Sequence, residues 1–425
     1  MAGRCRSCNG SSLSRLRGHR TGAGSCLRTR YSVVTSGLHG LRVLAFCDYL
    51  SPDSSGGAER VAMEVYPRLA RAGATVKLVT TMPASMRPAV LAGVEVESAP
   101  LLDLSAALRL QVGFSPALFG RLRSLARFRP DVLHAHTLFF QTSLAAAVLQ
   151  LATRTPLVTT VHVGSLEMMS EPGRTVSRAY EATVGRFILG RSARIVAVSP
   201  SVRSNLLRVG ARSERVSVVA NGVDLDRFHP RPLGAPPGNP PLIAFVGRLI
   251  EVKGPDVMLA ALLRLHADGV PFRAVYFGDG PMRARLESTV RAAGAPVAFA
   301  GHVDDLETQL PRADILLRPS LTEGMPLAVL EAMASGVCVV ATDVGGNRDL
   351  VEHDRNGVLV PPRRPEVMAR EIAGLLSDPA RRARLAAAGR QTAERYSWDA
   401  TAQATAALLL EAAGRAGGAG LWEAA

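Results

Sequence analysis

The sequence predicts an α/β protein built from two doubly wound halves, and three observations carry that prediction. From Leu41 onward, short β-branched runs alternate with helical stretches of about 10–15 residues, the pattern of βαβ units and a parallel sheet. The alternation stops at a proline-dense stretch, residues 229–241, and then restarts. The chain has 425 residues, 47% apolar and 20% charged, which suits a folded protein of two or three domains at about 150 residues each.

In the first half, strands are expected at 41–46, 75–80, 131–134, 157–162 and 195–198. The loop Gly56-Gly57-Ala58-Glu59-Arg60 opens a helix that runs to about residue 72. Six prolines within the thirteen residues 229–241 exclude a helix interior or a central strand, so this stretch is a linker. Strands then follow at 242–246, 273–277, 297–300, 314–317 and 337–342. Ser397, with Asp399 just behind it, suits the N-cap of a helix over 398–412 that is free to pack back on the first half. The organisation expected is a basic extension (1–40), a first domain (41–228), the linker, a second domain (242–397) and a frayed tail (413–425).

Charge and cysteine content narrow the partners. The net charge is +14, and Lys77 and Lys253 are the two lysines among fifty basic residues. Residues 1–40 contribute +7, residues 41–220 contribute +9 and residues 221–425 contribute −2. Such a split gives no uniform nucleic-acid surface, and no zinc-finger, homeodomain or RNP signature is present, so no nucleic-acid partner is expected. A basic first half suits an anionic acceptor, or peripheral contact with an anionic membrane. Five cysteines (5, 8, 26, 47 and 338) are too few, and odd in number, for a disulfide framework; they fit a reducing, cytoplasmic setting. Cys5, Cys8, His19 and Cys26 match no standard zinc spacing, so no metal is assigned. The longest apolar run, 138–152, is shorter than the roughly 20 residues of a membrane span. Residues 1–40 resemble a transit peptide in composition, but hold too little apolar surface to fold and read as a disordered extension.

Two such halves facing each other form a cleft at the carboxyl ends of their strands, where open α/β sheets bind ligands. Strand 242–246 runs into Gly247-Arg248-Leu249, with Lys253-Gly254 close behind. A guanidinium and an ammonium at a strand end can clamp a diphosphate, although a solvated loop would carry the same charges. The segment Pro319-Ser-Leu-Thr-Glu323-Gly324-Met325-Pro326-Leu327 leads into a helix that holds Glu331 and closes at Gly336. The backbone N–H groups of Gly324, Met325 and Leu327 then lie at a helix start, a ready anion site. Glu323 and Glu331 bracket it, placed to grip hydroxyls at opposite ends of a nucleotide-sugar.

Taken in order, these pieces resemble the retaining glycosyltransferases of family 4, of GT-B fold. The resemblance rests on Arg248 and Lys253, Glu323-x7-Glu331, Thr342-Asp-Val-Gly345-Gly346 and Asn356-Gly357-Val-Leu-Val-Pro361. It rests also on the Gly56-Gly57 loop, Asp131-Val-Leu-His134, Val198-Ser199 and Asn221-Gly-Val-Asp224. It covers nearly all of the chain from Leu41 to Ala412. It implies a metal-independent transfer of a hexose-type sugar from a nucleotide-diphosphate sugar to a hydroxyl of an unknown acceptor, anionic or lipid-linked, in glycan or glycolipid synthesis, with no cofactor.

The same resemblance implies roles. Arg248, Lys253 and the amides from Gly324 to Leu327, around Pro326, would stabilise the leaving diphosphate. Glu323 would hold hexose hydroxyls, Glu331 the ribose, and Val303 would sit by the base. Gly57 would let the backbone approach the phosphate or acceptor closely, and His162 would lie near the transferred sugar. His134 and His136 look like a metal pair but lack a third ligand, which favours a structural role. Asp224-x-Asp226 imitates a metal motif but belongs to a turn. Asp349 stands where family members often have Glu. Retention without an evident carboxylate nucleophile implies same-face attack. The rival readings are a pyridoxal-dependent phosphorylase, short of lysines; a nicotinamide oxidoreductase, for which G-x-G-x-x-G is missing; and a catalytically inert nucleotide-sugar-binding member of the family.

Overall fold

The computed structural model describes residues 37–51, 56–83, 85–103, 113–163, 173–232 and 239–415. Among these, the first domain is a sheet of seven strands: β1 (Arg42–Phe46), β2 (Thr75–Met82), β3 (Val94–Pro100), β4 (Val132–His136), β5 (Leu157–Val161), β6 (Ser192–Ala197) and β7 (Val216–Val218). Their spatial order is β3-β2-β1-β4-β5-β6-β7, parallel throughout. The second domain repeats the plan with β8 (Leu242–Val246), β9 (Arg273–Phe277), β10 (Val297–Gly301), β11 (Ile315–Arg318), β12 (Cys338–Thr342) and β13 (Val358–Val360), ordered β10-β9-β8-β11-β12-β13. In both sheets the winding reverses beside the first strand, between β1 and β4 and between β8 and β11. Ligands bind at such switch points, outside the carboxyl ends of the strands.

Both faces of each sheet are covered, so successive residues of a strand enter different cores. Leu44 and Phe46 of β1 pack into one cluster, Val43 and Ala45 into another. On β12, Val339 and Ala341 face one core while Cys338 and Val340 face the other. The helices used below are α1 (Gly57–Arg71), α2 (Gln141–Thr153), α3 (Pro200–Arg208), α4 (Pro255–Ala267), α5 (Leu327–Ala334), α6 (Gly345–Leu350) and α7 (Trp398–Ala412).

The Oγ of Ser397 accepts from Ala400 N–H at 3.1 Å and so caps α7. That helix crosses back to the first domain, where Trp398, Ala402 and Leu409 join Val61, Val65 and Leu69 of α1 in one cluster. Leu38 is buried in the same cluster, and Arg415 donates to the carbonyls of His39 and Gly40 and to Asp131. Residues 37–40 and 413–415 therefore belong to the folded body and shorten the extension and tail that the sequence suggested. Residues 1–36, with Cys5, Cys8 and Cys26, lie outside the described residues, as do 233–238 of the linker and 416–425. Cys47 and Cys338 are free thiols buried in the two cores. No helix among the described residues is long and apolar enough to cross a membrane.

Candidate active site at the domain interface

The neighbouring strands β8 and β11 end beside each other at the switch point of the second domain. Arg318 closes β11, after three apolar residues, and is 6% exposed. Its guanidinium donates to the Val246 carbonyl at the end of β8 (2.7 Å) and to Glu323 Oε1 through Nε (2.8 Å) and Nη2 (2.6 Å). Lys253 Nζ lies 3.0 Å from both Glu323 oxygens, and Ser320 Oγ donates to Oε1 at 2.6 Å. Burial alone would raise the Glu323 carboxyl, but Arg318 and Lys253 outweigh it and bring it down to about 2. Burial pushes Lys253 down to about 8 even against the attraction of Glu323, with Arg318 adding to the effect. The cluster holds two cations against one carboxylate, and Arg248 adds a third cation at its rim. Arg248 is exposed, and its side chain makes no hydrogen bond or ion pair with any described residue.

Residues 323–327 turn from this cluster into α5. The amides of Gly324, Met325 and Leu327 donate to no acceptor among the described residues, so they stand open at the start of the helix. Pro326 is the N-cap of α5, one position before the first turn expected for it, and Gly336 closes the helix at φ +66°. Glu331 lies in the second turn. Burial raises its carboxyl, opposed by Arg60 of the first domain and by Arg227 and Arg318. Its side chain has no hydrogen-bond partner among the described residues. A groove of about 470 Å³ lined by Glu251, Asp256, Pro281, Met282 and Arg285 lies elsewhere on the second domain. Its two carboxylates suit a diphosphate poorly.

Three glycines let the backbones meet. A Cβ at Gly324 would overlap the His162 carbonyl oxygen and fall 2.7 Å from its carbon, so the loop before α5 abuts the end of β5 across the interface. Gly345 and Gly346, at the start of α6, sit as tightly under the carbonyls of Glu323 and Gly324, and Gly346 N–H donates to Glu323 O at 3.0 Å. Three contacts between the domains reinforce the meeting. Asn221 Nδ2 donates to Met325 O (3.2 Å), Ser201 N–H donates to Asp349 Oδ2 (2.9 Å), and Ser201 Oγ donates to Gly345 O (3.1 Å). Asp349 thus serves as a partner for the first turn of α3 in the other domain.

On the first-domain side, His162 follows β5. Its Nε2 lies 2.9 Å from His136 Nδ1, and its Nδ1 is buried without a hydrogen-bond partner among the described residues. Burial lowers His162 to about 3 and holds His136 far down as well, so both rings are neutral at ordinary pH. A neutral His162 offers one N–H or one lone pair to a ligand. His134 and His136 bond to Tyr66, and no group of three or more His, Cys, Asp or Glu side chains placed to hold a metal ion exists among the described residues. Asp224 Oδ1 accepts from the amides of Asp226 and Arg227, which makes the Asp-x-Asp a turn.

The structure brings together Arg248, Lys253, Glu323, the 324–327 turn and His162. Val303, just beyond β10, is half-buried against an apolar cluster. At Gly57 a Cβ would meet open space, whereas one at Gly56 would strike the Glu59 carboxylate. Arg318, Ser320 and Tyr66 were not found from the sequence. A charged residue ending an apolar strand was the available signal for Arg318; a single Ser or Tyr gives none.

Two facing Rossmann-like sheets with a cationic cluster and an open helix start between them define a GT-B fold. A family model described as Glycosyltransferase Family 4 matches residues 55–227, and one described as Glycosyl transferases group 1 matches residues 229–392. A D-inositol 3-phosphate glycosyltransferase of Xylanimonas cellulosilytica is 31% identical over 411 residues, covering 88% of this chain and 96% of its own. One of the same name from Thermobispora bispora is 31% identical over 393 residues, with 84% and 90% covered. Among solved structures, Anabaena HepE in complex with UDP-glucose aligns at TM-score 0.69 and 19% identity over 87% of this chain and all of its own. Sucrose-phosphate synthase of Thermosynechococcus elongatus aligns at TM-score 0.70 and 21% identity, with 87% and 98% covered. The chain belongs to glycosyltransferase family 4 and is a glycosyltransferase.

Proposed function

We propose that the chain moves a hexose-type sugar from a nucleoside-diphosphate sugar to an acceptor hydroxyl, with retention of configuration and without a metal. The observation that carries this reading is the Arg318–Lys253–Glu323 cluster, rimmed by Arg248 and facing the open amides before α5. As the glycosyl–phosphate bond breaks, negative charge grows on the diphosphate. Preorganised cations and amides meet it there, each worth about 2–4 kcal/mol in such sites. These groups supply part of the charge that a divalent ion would otherwise bring. Glu323 is bonded to two cations and Ser320, which makes it a weak nucleophile and supports same-face attack assisted by the leaving phosphate. Its Oε2 has lone-pair capacity beyond Lys253 for a hexose hydroxyl, and Glu331 is free to take a ribose hydroxyl.

The acceptor reading is anionic. Relatives named for D-inositol 3-phosphate and the +9 of residues 41–220 support a phosphorylated polyol, with a lipid-linked acceptor at an anionic membrane as the second reading. Transfer from each of UDP-, GDP- and ADP-sugars to inositol 3-phosphate, with and without added EDTA, tests the proposal. Product with one donor, unchanged by EDTA, supports it; loss of product in EDTA removes the metal-independent part. Binding to vesicles of acidic lipid tests the membrane reading, and no binding ends it.

A further inference from the structure

Three histidines and a tyrosine lie in one unbroken line behind the sugar side of the site. Thr160 Oγ1 is 2.8 Å from His134 Nε2, and His134 Nδ1 is 3.0 Å from the Tyr66 hydroxyl. That hydroxyl is 2.6 Å from His136 Nε2, and His136 Nδ1 is 2.9 Å from His162 Nε2. Tyr66, His134 and His136 are buried, and the imidazoles of His134, His136 and His162 are neutral because burial disfavours their charge. A neutral imidazole carries one N–H and one lone pair, and a phenol has a single proton to give.

These valences allow two complete arrangements. In the first, His162 Nε2–H donates to His136, His136 Nε2–H to Tyr66, Tyr66 O–H to His134, and His134 Nε2–H to Thr160. His162 Nδ1 then presents a lone pair. In the second, every bond is reversed, and His162 Nδ1 presents an N–H. Both hold the same number of protons. A mismatch between His134 and His136 leaves Tyr66 facing two N–H groups or two lone pairs, and a mismatch between His136 and His162 sets two N–H groups or two lone pairs against each other. Either way one buried hydrogen-bonding group is left unsatisfied, at a cost of about 1–3 kcal/mol. In the first arrangement the Thr160 proton is free for a small cavity lined also by Asn221, whose buried Oδ1 has no partner among the described residues.

We propose that Thr160, His134, Tyr66, His136 and His162 form one tautomeric unit. The single proton of Tyr66 ties His134 to His136, and the direct bond ties His136 to His162, so that the three histidines share a tautomer, all Nε2–H or all Nδ1–H. Tyr66 is thereby a positioning residue, more than 60 positions from the histidines it governs, that fixes whether His162 offers a donor or an acceptor to the sugar. This last consequence rests on the reading above that His162 lines the sugar site; the shared tautomer does not. Exposed histidines choose tautomers independently, so the chain turns a local choice into a property of the fold.

The test is histidine nitrogen NMR on ¹⁵N-labelled full-length protein, with signals assigned through single His→Gln variants. One common tautomer for His134, His136 and His162 is expected; two different tautomers among the three would overturn the proposal. In Tyr66→Phe, His136 and His162 should stay matched through their direct bond while His134 changes tautomer or becomes a mixture. If all three histidines remain locked as in the parent, Tyr66 is not the link. Kinetically, Tyr66→Phe should lower kcat about five- to tenfold at unchanged donor KM, the size of one mispaired hydrogen bond. An unchanged kcat in Tyr66→Phe would overturn its positioning role. His162→Ala separates the two claims: full kcat there removes His162 from the sugar site and leaves the NMR outcome to judge the tautomeric unit.

Discussion

Replacing Glu323 with Gln removes one charge from the cationic cluster and almost no volume. In the folded protein the carboxyl titrates at about 2 against an ordinary 4.5, and its side chain is only 5% exposed. A depression of that size corresponds to about 3 kcal/mol of stability above pH 4.5, at roughly 1.4 kcal/mol per unit. Removing one partner of a buried ion pair costs about 3–5 kcal/mol, so two separate arguments converge. The sign follows from linkage. The contribution is full above the unfolded-state value near 4.5 and is lost as pH falls through about 2. Urea unfolding of the second domain at pH 7 should place Glu323→Gln about 3 kcal/mol below the parent, with the gap closing as the pH approaches 2. Nucleoside diphosphate should also restore more stability to the variant than to the parent, because a bound anion supplies the missing charge. A loss within about 0.5 kcal/mol at pH 7, the size of a surface substitution, would refute the reasoning.

Other outcomes follow from the same geometry. Lys253→Ala and Glu331→Ala should each abolish most transfer while circular dichroism stays that of the folded parent; full activity in either removes that residue from the donor site. Because free Lys253 titrates at about 8, donor binding should weaken above pH 8, where the ammonium must be regained on binding. Calorimetric titration with a nucleoside diphosphate from pH 7 to 9.5 should show proton uptake over that range, and its absence would count against Lys253 as the clamp. Gly324→Ala places a methyl group on the His162 carbonyl. It should part the domains by about 1 Å and cost about a hundredfold in kcat with the fold intact, read in steady-state kinetics and a crystal structure.

Much of this architecture is legible in the chain because both sheets are buried on two faces, which writes their central strands as continuous apolar runs. The expected spans for β8 and β9 coincide with the observed Leu242–Val246 and Arg273–Phe277. Three of the four edge strands are not legible; only β10 is. β3 reads Val-Glu-Val-Glu-Ser-Ala-Pro, with Lys77 of the neighbouring strand paired to Glu95 and Glu97, while β7 and β13 are three residues each. Such short or half-polar strands leave little periodicity to read. Within the site, Arg248, Lys253 and Glu323 were legible because charges beside strand ends have few reasons to be there. Tyr66 was not, since one tyrosine on an amphipathic helix looks like core until its hydroxyl is seen between two imidazoles. The acceptor side carries the least information. It depends on which of many arginines face the cleft, a matter of tertiary placement.

The most direct test of the central claim, that the cluster at the ends of β8 and β11 clamps a leaving diphosphate, is nucleoside-diphosphate release. It would be measured on a panel of UDP-, GDP- and ADP-sugars with the parent protein and with Lys253→Ala. The parent should release diphosphate from at least one donor, slowly alone and faster with acceptor, and Lys253→Ala should release almost none from the same donor. Binding without release across the whole panel, or equal release by Lys253→Ala, would contradict it.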